Sequence, residues 1–481
     1  MGSFNAVVTT SIYCRPGCAG RPNRANVRAF GLAAAAEAAG FRACLRCRPY
    51  RVQPAVSYHA APELACRAVR LIVDGALDEG TEHDLSARLG ISARHLRRLF
   101  AEHLGVTPDY LARSTRVHFA RRLLDDTDLP VTDVTFAAGF GSVRQFNRAC
   151  QEVFRATPGE LRARRRVSDR LVADGGLALR LPFRPPFDWP SMVRYLHARS
   201  IAGVEHVTAE CYRRTVVIDG DPGVLELSPG GPEHLVLHAH LPHWAGLIHV
   251  AQRARGIVNL DADVEAASRD LGGDPLVGRL FRDRPGVRPP GAWDPFETGV
   301  EAIAGEQAGP AATARFLRRV VELYGTPVPG LRRLGLTHTF PPPSALADAE
   351  MDGLGLPPSR TAAVRAFAQA VAAGAADPGC GDRPAALAGR VTPIPGLTGE
   401  AAQYLALRLG ERDAFCPASP ALLGALARAA GRPVTPGQAR RIAERWRPWR
   451  AHAAAQLWLG AAQLPLDPRG PDAGRVAAAR L

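Results

Sequence analysis

The chain has 481 residues, 46% of them hydrophobic and 22% charged, which is the composition of a soluble globular protein with several cores. All 60 basic residues are arginine, which excludes Schiff-base lysine chemistry and a phosphate loop built on lysine. The net charge of +14 is uneven, with 25 Arg against 15 acids in residues 1–166, and this predicts a polyanionic partner, most simply nucleic acid. No apolar run reaches membrane-spanning length and the first thirty residues lack the order of a signal peptide, so a cytoplasmic location without a membrane partner is expected. Nine cysteines argue against a disulfide framework in that setting, and Cys66, Cys150, Cys211, Cys380 and Cys416 read as isolated small apolar residues.

The other four, Cys14, Cys18, Cys44 and Cys47, form a CxxxC and a CxxC pair separated by 25 residues, the pattern of a four-cysteine Zn2+ site. Eight arginines and a single acid, Glu37, surround them in residues 1–60, so the knot is expected to face phosphate. A zinc-bound thiolate is deprotonated yet still nucleophilic. Val8-Thr9-Thr10, Cys14-Arg15-Pro16, Asn26-Val27 and Ala39-Gly40-Phe41-Arg42 resemble the N-terminal domain of the Ada family, which moves a methyl group from a methylated DNA phosphate to one zinc-bound cysteine. The resemblance implies a domain over 1–56 with Cys14 as methyl acceptor, Cys18, Cys44 and Cys47 as the other ligands, and Arg15, Arg42 and Arg46 against DNA. A zinc knot without transfer is the alternative. The family has a further helix ahead of the first cysteine, where this sequence has thirteen residues, so the domain is expected to be trimmed or to start further upstream.

Residues 62–166 read as an all-α tandem repeat, with Leu96, Arg97, Arg98 and Phe100 recurring as Phe146, Asn147, Arg148 and Cys150, and Thr107-Pro108 as Thr157-Pro158. In each unit a short helix meets a Gly turn and a second helix opens on a capping Ser. The polar faces of those second helices, Arg94, His95, Arg97 and Arg98, then Arg144, Gln145, Asn147 and Arg148, carry side chains that read base edges in a major groove. The pair resembles the AraC-type DNA-binding domain, closely so in GFGSVRQFNRACQEVFRATPGELR. Solvated basic helices without a DNA role are the alternative.

After RARRR (162–166) the pattern changes to an antiparallel α+β region, 177–290, with a helix at 189–199, and then to an all-α region, 291–465, followed by a tail, 466–481. PPFDWPSM, GAWDPFETGVEAIAGEQ, IPGLTGEAAQYLALRLG and AERWRPWRAHAAAQLWL resemble AlkA-type 3-methyladenine DNA glycosylases of the helix-hairpin-helix superfamily. The resemblance puts Gly396 and Thr398 in the hairpin that meets DNA phosphate, with Thr398 replacing a Gly and Glu400 a Trp. It puts Tyr195, Tyr404 and Trp458 around a flipped base and Gln307 in the vacated stack, with core packing as the alternative for all four. On the resemblance the family's catalytic Asp falls on Ser419, or on Pro420 if Cys416 is an insertion, behind the retained frame of Asp413, Phe415 and Pro417, and Asp413 lies six residues too early to replace it.

The fold class expected is therefore multidomain α+β: a small zinc domain, a tandem helix-turn-helix domain, an antiparallel α+β subdomain and a helix-hairpin-helix glycosylase-like domain. The functional expectation is a DNA-alkylation-responsive transcriptional regulator whose glycosylase-like part has lost its chemistry. A bifunctional repair enzyme that also excises bases, and a zinc-stabilised regulator with an effector-binding C-terminal part, are the competing readings. Double-stranded DNA is the expected partner, and an activator role would add RNA polymerase.

Overall fold

The computed structural model describes residues 4–20, 22–51, 61–78, 80–173, 175–306, 308–379 and 394–461; Gln307, Cys380 and the tail at 466–481 lie outside these described residues. Contacts divide the chain into two compact units, one of residues 1–183, 234–238 and 243–253 and the other of 184–233, 239–242 and 254–481.

The first unit begins with a small sheet of β1 (Phe4–Val7), β2 (Ile12–Cys14), β3 (Val27–Phe30) and β4 (Arg42–Ala43), in the order β3-β1-β2-β4. β1 runs antiparallel to β2 and β3, while β2 and β4 are parallel. Strand alternation turns Phe4, Ala6 and Tyr13 into the interior. There they meet α1 (Ala33–Ala38), whose alanines are the best intrinsic helix formers and let it pack closely.

The helices that follow are α2 (Glu63–Val73), α3 (Glu82–Arg88), α4 (Ala93–His103), α5 (Pro108–Asp126), α6 (Val131–Ala137), α7 (Val143–Phe154) and α8 (Pro158–Ala163). The repeat seen in the sequence is a repeat of caps. Ser92 and Ser142 accept the N–H three residues on, both at 3.2 Å, and Thr107 and Thr157 cap helices that open on proline. Gly90 and Gly139 hold the left-handed turns ahead of α4 and α7 at φ +69° and +78°. Val69, Leu85, Leu96, Phe100 and Leu111 form one core with Leu32 beside α1, so the zinc region and the first helix-turn-helix share an interior. Strand β5 (Leu177–Pro182) also lies in this unit.

The second unit contains α9 (Trp189–His197) and an antiparallel meander of β6 (Glu205–Val207), β7 (Tyr212–Ile218) and β8 (Asp221–Gly231). Strand β9 (His234–His240) and helix α10 (Leu247–Ile257) begin in the first unit. The rest is helical: α11 (Val264–Leu271), α12 (Gly278–Asp283), α13 (Pro295–Gly305), α14 (Pro310–Tyr324), α15 (Pro343–Ala347), α16 (Pro358–Ala372), α17 (Gly399–Arg408), α18 (Pro420–Ala430), α19 (Pro436–Ala443) and α20 (Arg450–Ala461). Phe296, Val300, Phe316, Val320 and Phe367 form its core, with the rings of Phe296 and Phe367 stacked 5.6 Å apart.

Candidate metal centre and nucleic-acid interface

Cys14 ends β2, Cys18 follows in the turn, and Cys44 and Cys47 close the loop after β4. The parallel β2–β4 pairing sets the two thiol pairs side by side, with the Cys44 N–H donating to the Tyr13 carbonyl at 3.0 Å. All four sulfurs lie within 4.8 Å of one another. Four bonds of about 2.3 Å to a tetrahedral Zn2+ ask for sulfurs roughly 3.8 Å apart, so the residues fit the ion. Burial and the neighbouring thiols push the Cys14 thiol up and Cys47 up to about 11, which makes a cation the natural means of ionising the set. Burial acts the same way on Cys44, but the backbone N–H groups of Cys47 and Arg46 outweigh it and hold that thiol below its usual value. Cys47 accepts the Arg15 N–H at 3.4 Å.

Of the basic residues around the knot, Arg46 is exposed and Arg15 and Arg42 are half-buried. Arg94, His95, Arg97, Arg98, Arg144, Gln145 and Arg148 are exposed on α4 and α7, whereas Leu96, Leu99, Phe100, Phe146 and Val153 turn into the core. Three of the expected base readers are engaged at home. Arg97 pairs with Glu82 at 2.5 Å, Asn147 donates to the Val143 carbonyl at 2.8 Å, and Gln145 accepts the Gly141 N–H at 3.1 Å.

In the second unit Gly396 has φ +80°, and a Cβ there would lie 2.1 Å from the Ala363 carbonyl oxygen, so the hairpin needs this glycine. Thr398 caps α17, accepting the Ala401 N–H at 3.3 Å and donating to Glu306 at 2.8 Å. Glu400 accepts the Ala418 N–H at 3.0 Å, which ties its carboxylate to the loop before Ser419. Two carboxylates therefore stand at the hairpin, of which Glu306 is ion-paired with Arg360. Ser419 is the N-cap residue of α18, and its side chain makes no cap bond.

Tyr195 and Tyr404 come together, their hydroxyls 3.2 Å apart. Tyr404 donates to Glu301 at 2.8 Å and accepts from Arg408 at 2.7 Å, while Arg408 pairs with Glu301 at 3.0 Å. Trp458 is buried on α20, and its indole N–H has no partner among the described residues. Gln307 lies outside the described residues.

Sequence reasoning missed the residues behind these sites. Glu301 and Arg408 are an ordinary acid and base until the fold buries them together. Glu37 had a signal, being the lone acid among eight arginines in residues 1–60. It is 6% exposed and accepts hydrogen bonds from Tyr13 at 2.5 Å and Ser114 at 2.7 Å, with His118 Nε2 2.6 Å away.

A family model for the metal binding domain of Ada matches residues 2–50, one for a helix-turn-helix domain residues 85–164, and one for the AlkA N-terminal domain residues 178–294. A Mycobacterium tuberculosis protein named probable bifunctional transcriptional activator/DNA repair enzyme AlkA is 38% identical over 459 residues, 94% of this chain and 92% of its own. DNA-3-methyladenine glycosylase 2 of Escherichia coli is 34% identical over 58% of this chain and 95% of its own. A solved 3-methyladenine DNA-glycosylase from Archaeoglobus fulgidus has the same fold over 59% of this chain and 98% of its own, with a TM-score of 0.51 at 17% identity.

Proposed function

Because the chain belongs to the family of bifunctional transcriptional activator/DNA repair AlkA proteins, with zinc-binding, helix-turn-helix and AlkA-like regions in one polypeptide, we propose that it is a DNA-alkylation-responsive regulator whose Cys14 takes a methyl group from a methylated DNA phosphate. The observation that carries this reading is the convergence of four thiols within 4.8 Å, in an arginine-rich stretch that shares a compact unit with two exposed recognition faces.

Zinc, when bound, keeps the four thiols ionised at neutral pH. The Cys14 sulfur attacks the methyl carbon in line with the O–CH3 bond. A C–S bond forms, the C–O bond breaks, and its electron pair stays on the phosphate oxygen, restoring the charge of the diester. N–H bonds to Cys44 and Cys47 draw charge from those sulfurs. Once Cys14 is a thioether the knot has lost one negative charge, its attraction for DNA rises, and the tandem helices can hold a promoter, where RNA polymerase would be the next partner. The AlkA-like region, with serine at the family's acid position, acts in this reading as a DNA- or ligand-sensing module.

Intact-mass analysis of the full chain after incubation with a duplex carrying a methylphosphotriester tests the reading. One methyl on wild type and none on Cys14→Ser is the expected result. An unchanged wild-type mass would leave a zinc-stabilised regulator without transfer.

A further inference from the structure

Glu37 joins two regions that the sequence presents as separate. It sits on α1 within the zinc region, and its carboxylate holds Tyr13, the residue before Cys14, together with Ser114 and His118, one turn apart on α5. His118 passes the contact on. Its ring lies 5.8 Å from that of Phe154, the last residue of α7. The Phe154 ring in turn meets Tyr50 edge-on at 5.8 Å.

Tyr50 returns the path to the knot. Its hydroxyl donates to Asp125 on α5 at 2.8 Å, and Arg48, directly after Cys47, reaches Asp169 at 2.6 Å and Asp125 at 3.8 Å. Both ends of the cysteine cluster are thus fastened to the same helix, one through Tyr13 and one through Arg48 and Tyr50. Tyr13, Tyr50, Ser114, His118 and Asp125 are all buried. A buried carboxylate that loses one of three donors cannot replace it with water, so such a junction moves as a whole or breaks.

We propose that the Tyr13–Glu37–His118 junction transmits a change at the zinc knot to α5 and α7, so that the state of the cysteines alters the second recognition helix directly as well as through its charge. The signalling role rests on methyl transfer to Cys14, whereas the coupling itself does not. Glu37 is a positioning residue here, with no contact to the transferred methyl.

Hydrogen–deuterium exchange on the full zinc-loaded chain separates the two. One arm removes zinc with a chelator; the other methylates Cys14 with the methylphosphotriester duplex and confirms the methyl by mass. In wild type, amide exchange across Ser114–His118 and Val143–Phe154 should change by about tenfold in both arms. In Glu37→Gln, with zinc content unchanged, the change should stop within residues 4–51. Ser114→Ala, which removes one donor and leaves the charge with His118, should weaken transmission and guards against a folding defect in the first variant. Wild-type α5 and α7 that ignore zinc loss, or a Glu37→Gln protein that transmits as wild type does, would overturn the proposal. Transmission on zinc loss without any methyl on Cys14 would instead overturn the transfer reading and leave the coupling standing.

Discussion

Arg450 holds Asp413 by both its side chain and its backbone. Nε lies 2.8 Å from Oδ1 and Nη2 3.1 Å from Oδ2, and the same nitrogens donate to the Asp413 carbonyl at 3.0 and 2.6 Å. Arg447 adds a second guanidinium. The acid retained from the glycosylase frame is therefore a fastener between the loop and α20, with its charge committed. The Asp413 and Arg450 side chains are 22% and 14% exposed, so Asp413→Asn should cost about 2 kcal/mol. Calorimetry of the full chain should show the second unit melting earlier while zinc content stays the same.

Ser419→Asp should fold at least as well as wild type, because Asp is a good N-cap and favours the positive end of α18 by about 0.5 kcal/mol. It also puts a carboxylate where we propose that the family's acid has been lost. Release of 3-methyladenine from alkylated DNA should appear or rise in the variant. Equal release by wild type would refute the assignment of Ser419 as the site of lost chemistry.

Zinc binding should weaken as pH falls, since protons compete with the metal for the same sulfurs. Cys44→Ser and Cys47→Ser should lower zinc content, and Cys14→Ser should keep more of it while abolishing methyl uptake. Metal analysis after dialysis at several pH values checks both. A Cys14→Ser protein that still gains a methyl would move the acceptor elsewhere.

Burial tends to raise the Glu37 carboxyl, but His118, Tyr13 and Ser114 outweigh it and hold the group below its usual 4.5. A depressed folded-state value contributes stability above that usual value and loses it as pH falls through the folded one. Acid unfolding of the first unit should therefore be shallower in Glu37→Gln, measured by circular dichroism from neutral pH down to about pH 2. An identical acid limb in the two proteins would contradict this.

Arg144 and Arg148 are exposed on α7 and make no ion pair among the described residues, while Arg97 on α4 already pairs with Glu82. Arg144→Ala or Arg148→Ala should reduce the slope of log affinity against log salt by about 1, by fluorescence anisotropy on duplex DNA. Arg97→Ala should change it less. Equal slopes for all three would mean that Glu82 releases Arg97 on binding.

Much of the site was legible because it is written in local code. The cysteine spacing, the Ser and Thr caps and the Gly turns act within a few residues, and each stands where the sequence put it. The hairpin glycine was legible too, although its necessity comes from the Ala363 carbonyl thirty-three residues earlier. What the sequence concealed depends on long-range burial. Glu37 stands out as the lone acid of its stretch, but nothing local says that it is buried or what it holds, because its partners stand 24, 77 and 81 residues away. Asn147 and Gln145 carried the right chemistry for reading bases, and only the backbone at Val143 and Gly141 shows where their amides are engaged.

The segment at 243–253 belongs to the first unit although it follows most of the second unit's strands in the chain. There His249 meets Asp78 at 2.9 Å and the Gly246 N–H donates to the Phe136 carbonyl at 3.2 Å. Gly75 makes room for that histidine, since a Cβ at this position would fall 2.7 Å from its ring. Synthesis runs from the N-terminus, and domains fold as units while the ribosome is still extending the chain. The first unit therefore has its full set of residues only once the chain has been made through residue 253, well after its own helices have emerged.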